Sequence, residues 1–264
     1  MAVRQSFNGI TASEMKSFLD EKHDLFNNRS FIENDPISIP HSYSLRQDIE
    51  ISGFLTATIA WGRRDLIISS ATRLMNMMGE SPYQFIMEAG DSDIDRFSEF
   101  YYRTFNGTDC SFFIRSLKNL YMNYNSIEDI LLEGYSGERR MTGALTRFRE
   151  QFFMNPFPAR SGKHFADIRA GAAGKRLNMY LRWMVRRDSR GVDFGLWDRL
   201  SMSDLYIPID LHTGNVARRL GLLTRKANDW KSVEELTALL RQFDPSDPVR
   251  YDFSLFGLGV NEKF

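Results

Sequence analysis

GAAGKRLNMYLRWMVRR (residues 171–187), a spacer, and IPIDLHTGNVARRLGL (residues 207–222) form the stretch from which the chain is best read. Gly171-Ala172-Ala173-Gly174 is a small-residue turn. The helix expected after Gly174 puts Leu177, Tyr180, Leu181, Met184 and Val185 on one face. Lys175, Arg182 and Arg186 fall on the opposite face. That face reads either as a solvated charged surface or as one that meets an anion. Glycines lack Cβ, so the N–H groups of the turn can approach a phosphate closely at a helix N-terminus. The plainer alternative for the turn is a tight helix–helix connection. Lys175 stands where the helix dipole, partial burial and neighbouring Arg176 all favour a neutral amine. Such an amine attacks an electrophilic sugar carbon. Asp210 follows the apolar Ile207-Pro208-Ile209, which desolvates it. A carboxylate there stabilises oxocarbenium-like charge or caps the helix Leu211 to Leu220, and the two roles are compatible.

Around this segment the chain reads as helical almost throughout. Thr11-Ala12-Ser13-Glu14 is an N-cap cluster opening a short helix to about Lys22. Asn27 to His41 reads as loop. Leu45 to Ala60 reads as a buried helix, broken by Trp61-Gly62, with a second helix from Arg63 to Met78. Ser81-Pro82 starts another. Further helices are expected over Ser111 to Tyr124, Ser126 to Leu132, Thr142 to Phe153, Ser232 to Phe243 and Pro248 to Phe256. Asn155 to Lys163, with two prolines and a glycine, reads as a linker between halves. No period-two strands stand out, so the expected fold class is all-α. The single cysteine, Cys110, excludes internal disulfides and Cys-ligated zinc or iron–sulfur sites. The four histidines lack metal-binding spacing, and no metal or cofactor is expected. Lys+Arg and Asp+Glu are both 34, so nucleic-acid binding would need a local basic patch. The absence of a long apolar run or a secretory core gives a soluble, cytoplasmic expectation.

The key segment is similar to the helix-hairpin-helix DNA glycosylases, the superfamily of endonuclease III and 8-oxoguanine glycosylase. Gly171 matches the first glycine of their hairpin, Lys175 the lysine of the bifunctional members, and Asn178 is in register. Ile209-Asp210-Leu211-His212 matches the family's aspartate motif. Ala217-Arg218-Arg219-Leu220-Gly221-Leu222 matches its continuation. Residues 51–74 resemble the early helix–turn–helix, with Ala60-Trp61-Gly62-Arg63-Arg64 at the turn that meets DNA. The likeness departs at Ala173, in place of a second glycine, at Arg169 and at Asn215. Lys175 and Asp210 stand 35 positions apart, so the insertion over Asp188 to Tyr206 is expected to loop out. The whole chain also resembles an uncharacterised bacterial family of unknown function.

This resemblance implies a two-lobed helical fold with a helix-hairpin-helix element. Residues 1–45 would be an extension, residues 46–155 one lobe, and residues 160–264 a lobe bearing the hairpin and the aspartate. It further implies a monomeric base-excision glycosylase, possessing or lacking lyase activity, acting on double-stranded DNA with a damaged base or an abasic site. Lys175 and Asp210 would be catalytic. Gly171, Gly174, Arg176, Arg63, Arg64, His212 and Arg218 would meet DNA. Trp61, Met179 and Trp183 would line the base pocket. The alternative is a non-catalytic nucleic-acid-binding module.

Overall fold

A computed structural model describes residues 6–7, 9–136, 140–262 and 264. The chain opens with a hairpin of β1 (Ser6–Phe7) and β2 (Ile10–Thr11), paired Ser6 with Thr11 and Phe7 with Ile10. The α-helices follow in order: α1 (Ala12–Phe26), α2 (Ser30–Glu33), α3 (Arg46–Thr58), α4 (Arg64–Met78), α5 (Pro82–Glu88), α6 (Asp91–Asp95), α7 (Gly107–Asn123), α8 (Ile127–Tyr135), α9 (Met141–Phe152), α10 (Lys175–Val185), α11 (Leu211–Arg219), α12 (Trp230–Phe243) and α13 (Tyr251–Val260). The all-α expectation holds. Two-residue strands are too short to leave a period-two signature. Among the described residues no helix is long and apolar enough to cross a membrane.

The chain divides into two compact units. One comprises residues 1–31, 170–195 and 201–264, and the other residues 32–169 and 196–200. The N-terminal stretch, expected as an extension, contributes a packed helix. Its residues 1–5 and 8 lie outside the described ones. Thr11 starts α1 through reciprocal bonds: Glu14 N–H donates to Thr11 Oγ1 at 3.3 Å, and Thr11 N–H donates to Glu14 Oε2 at 2.8 Å. Met15, Leu19 and His23 are buried at i, i+4, i+8. They face α13, whose Ser254 Oγ donates to the Leu19 carbonyl at 2.7 Å. Gly257 makes this approach possible, since a Cβ there would lie 2.1 Å from the Phe26 ring. Gly259 does the same for α11, where a Cβ would lie 3.1 Å from His212 Cβ. Sequence alone gave no meaning to these two glycines. They let α13 sit at the centre of its unit.

In the second unit α3 is buried from Asp48 to Thr58. Phe54, Phe113, Phe148, Phe152 and Phe165 form an aromatic core around it, with Phe113 and Phe152 centroids 4.8 Å apart. Glu50, fully buried, accepts hydrogen bonds from Tyr121 Oη (2.7 Å), Ser126 Oγ (2.6 Å), Ile127 N (3.1 Å) and Trp197 Nε1 (2.8 Å). Gly134 and Gly143 bring α8 and α9 into backbone contact, since a Cβ on either would lie 2.3 Å from the other's carbonyl oxygen.

Three expectations are corrected. Asn27 to His41 is not simple loop: it holds α2 and two 3-10 turns, Pro36–Ser38 and Pro40–Ser42, each begun by a proline whose fixed φ suits a helix start. Asn155 to Lys163 is not a linker. It runs into a 3-10 helix, Ala159–His164, with Ser161 and His164 buried. The insertion after Asp188 does not simply loop out, because Val192 and Trp197 are fully buried; its apolar residues needed cover.

Arg182 and Arg186 also depart from expectation. The face read as either solvated or anion-meeting buries both of its arginines, with Arg182 3% and Arg186 1% exposed. Replacing Arg186 with Met leaves Asp193 and Asp247 short of a cation in a dry interior. It should therefore cost about 3–5 kcal/mol, measured as a lowered midpoint in urea unfolding.

Candidate functional site

The site grows from the turn ahead of α10. Gly171 has φ +88° and Gly174 φ +61°, both in the left-handed region that glycine enters freely. Gly174 precedes the helix as its N-cap. The turn is pinned by an antiparallel bridge from Ala172 to Asp229, and Trp230 N–H donates to the Gly171 carbonyl at 3.0 Å. The chain from Phe165 to Gly174 is not helical, and the nearest α-helix upstream, α9, ends at Phe152.

Lys175 is the first residue of α10. Met179, Arg182 and Arg186 follow at i+4, i+7 and i+11, so the four share one stripe. Lys175 Nζ lies 3.5 Å from Met179 Sδ. Arg182 Nε donates to Asp193 Oδ1 at 3.2 Å, and its Nη1 donates to Asp252 Oδ2. Arg186 donates to Asp193 Oδ2 at 3.1 Å and Asp247 Oδ2 at 2.9 Å, and its Nη2 is 2.9 Å from Asp188 Oδ2. The two guanidinium carbons lie 4.4 Å and 5.3 Å from the centroid of the Phe253 ring. Burial disfavours the Arg186 charge, but Asp193, Asp247 and Asp188 more than offset it and hold the guanidinium firmly protonated.

Asp210 is the N-cap of α11, with Oδ1 accepting from Thr213 N at 2.9 Å. Asn228 Nδ2 donates to its carbonyl at 3.1 Å. A third residue that the sequence reading missed is Asp252, in the first turn of α13, which accepts from Arg182. Burial pushes the Asp252 carboxyl up to about 6; Arg182 and Lys175 pull it down, while Asp210 and Asp193 push it up. The available signal was a single acid inside the apolar run YDFSLFGLG, which requires a buried partner.

The other expected residues fall in varied settings. Trp183 is fully buried, so its ring packs in the core and presents no open face for stacking. Met179 is buried beside Lys175. Burial lowers Arg176 to about 10. His212 is exposed on the first turn of α11. Arg218 is turned onto the following loop, donating to Arg225 O (2.7 Å), Ala227 O (3.0 Å) and Asn228 Oδ1 (2.6 Å). Trp61, Arg63 and Arg64 belong to the other unit. There Trp61 stacks on His164 with centroids 5.9 Å apart and meets Tyr102 edge-on. Arg63 forms a two-pronged pair with Asp65, at 2.5 Å and 3.1 Å, that holds the Asp65 carboxyl down. Arg64 opens α4. Near Trp61, the buried Asp109 accepts from Ser161 Oγ at 2.7 Å and lies 3.2 Å from His164 Nε2.

A family model described as "Protein of unknown function (DUF2400)" matches residues 35–261, and the chain belongs to that family. No curated protein and no solved structure matches the chain.

The arginine network also fixes the state of His23. Its ring nitrogens lie 3.0 Å from Arg250 Nη2 and 3.4 Å from Arg186 Nη2. Burial first, then these cations, lower it to about 4. From pH 6.5 down to 4 the unfolded chain takes up the His23 proton and the folded chain does not, so this contribution to stability is lost on acidification. In His23→Gln, the unfolding free energy lost between pH 7 and pH 4.5 should shrink by about 2 kcal/mol, read from urea titrations at both pH values.

Proposed function

We propose that the chain is a DNA base-excision enzyme of the glycosylase or lyase type, with Lys175 as nucleophile and Asp210 as its electrostatic partner. In this reading the two units correspond to the lobes of a helix-hairpin-helix glycosylase, and the turn 171–174 with α10 takes the place of the hairpin. The observation that carries it is that the left-handed turn 171–174 sets Lys175 at the first position of α10, while Asp210 caps α11 in the same unit.

The chemistry follows from these groups. The Lys175 amine forms a bond to the sugar C1′ as the C1′–N bond to the base breaks, and the base leaves with the electron pair and takes up a proton. Asp210, half-exposed and held as an N-cap, stabilises the positive charge that develops on the sugar. Ring opening with loss of an amine proton then gives a Schiff base. The base is reached by flipping it from the duplex. The expected occupant is double-stranded DNA with a damaged base or an abasic site, bound by a monomer without a cofactor.

A second reading, a non-catalytic nucleic-acid-binding module, draws on two observations: no helix directly precedes the turn, and Arg218 and Arg63 are engaged within the protein.

Borohydride trapping on duplexes carrying an abasic site or 8-oxoguanine tests the proposal. It should give a covalent adduct that Lys175→Ala abolishes. Salt-sensitive binding without an adduct would favour the binding module. The absence of both adduct and binding would overturn the DNA reading.

A further inference from the structure

We propose that Arg218 and Asn228 are positioning residues: through them the loop 225–230 braces the turn ahead of Lys175 against the cap of α11. The contacts form one continuous chain within a single unit. They start on α11, where Asp210, Gly214 and Arg218 recur every four residues and so share one stripe. Side chains on a helix lean toward its N-terminus, and Arg218 runs back along this stripe. Its Nη1 comes within 2.9 Å of the point where a Cβ on Gly214 would stand, and Asn228 Oδ1 within 2.7 Å. Gly214 thus leaves room for both side chains on the first turn of α11.

The Arg218 fork is spread over the loop. Its Nε donates to the Arg225 carbonyl at 2.7 Å, and its Nη2 to the Ala227 carbonyl at 3.0 Å and to Asn228 Oδ1 at 2.6 Å. An arginine in the last turn of a helix usually serves that helix's own carbonyls or stays in water. Here the acceptors belong to the next loop. Asn228 passes the contact on, because its Nδ2 donates to the Asp210 carbonyl at 3.1 Å. With Oδ1 engaged by Arg218 and Nδ2 by Asp210, the carboxamide has one orientation.

Next along the same loop come the groups that grip the turn ahead of Lys175. Asp229 bridges Ala172, and Trp230 N–H donates to the Gly171 carbonyl at 3.0 Å. Two residues of backbone span at most about 7 Å, so one short stretch holds both the Asp210 carbonyl and the Gly171 carbonyl. The loop is itself stiffened. Arg225 Nε donates to Asp229 Oδ1 at 2.8 Å, and Ser232 Oγ donates to the Ala227 carbonyl. A shift of this loop therefore moves the Lys175 turn and the Asp210 cap relative to each other. The consequence for catalysis rests on the roles of Lys175 and Asp210 proposed above; the brace does not.

The experiment is amide hydrogen exchange on the full chain, followed at Trp230, whose N–H holds Gly171. In Arg218→Gln and in Asn228→Ala this amide should exchange about tenfold faster, while the amides of Leu236 and Leu240 in α12 keep the wild-type rate. Lys226→Ala removes a cation from the same loop outside the brace and should leave Trp230 unchanged. A uniform acceleration of all these amides would mark a merely structural role and overturn the proposal, as would an unmoved Trp230. Should Arg218→Gln and Asn228→Ala fail to fold, Gly214→Ala gives the answer. Alanine favours the helix, but its Cβ displaces the Arg218 and Asn228 side chains, so Trp230 should still exchange faster; an unmoved rate would overturn the proposal. On a duplex with an abasic site, Arg218→Gln should slow borohydride-trapped adduct formation about tenfold and leave the salt dependence of binding in place. A shallower salt dependence with an unmoved Trp230 would make Arg218 a phosphate contact and overturn the brace. Exchange needs no DNA. Faster exchange in the variants without any wild-type adduct sinks the DNA reading and keeps the brace, while an adduct with unmoved exchange does the reverse.

Discussion

Arg182 and Arg186, side by side on α10 and sealed against Phe253, carry two charges into the interior of their unit. An isolated buried charge would cost far more than a domain's net stability, so the surrounding structure has to bring carboxylates to it. It does so from three places: Asp193 from the segment after α10, Asp247 from the turn before α13, and Asp252 from α13 itself. Each of these pairs ties a distant part of the chain to one helix. Such a network adds less to stability than its contacts suggest, because desolvation consumes much of the Coulomb energy. Its effect is to fix the register of α10 against α13, and with it the setting of Lys175.

The candidate site lies at the end of this network. Lys175 is held at the start of α10 by the turn 171–174, which the bridge to Asp229 and the bond from Trp230 keep in place. Asp210 is held by its capping bond to Thr213. Gly259 then lets α11 close on α13. Asp252, whose carboxyl burial pushes up to about 6, shares this unit with Lys175 and the better-exposed Asp210, so the unit holds carboxyls in contrasting environments. This is the physical basis of the proposed chemistry.

Much of this was legible in the sequence, and the rest was hidden for identifiable reasons. The helical periods of α3, α4, α10 and α12 are strong and were read with nearly correct limits. The turn at Gly171–Gly174 and the capping role of Asp210 follow from residue types that have few other local uses. Arg182 and Arg186 misled, because an arginine on the polar side of an amphipathic helix is usually solvated, and only tertiary partners reveal otherwise. Asp252 stayed hidden for the complementary reason. Trp183 was expected in the base pocket from the resemblance alone, and its full burial shows that it packs in the core instead. The meaning of Gly257 and Gly259 depends on Phe26 and His212, far away in sequence.

Whether Lys175 lies at a nucleic-acid surface is the central claim. The direct measurement is a differential lysine footprint of the full chain, with and without a duplex containing a non-cleavable abasic analogue. The account predicts that Lys175 loses most of its labelling on binding, while Lys16 and Lys118 keep theirs. Equal labelling of Lys175 in the bound and free protein, at a duplex concentration that saturates binding, would contradict it.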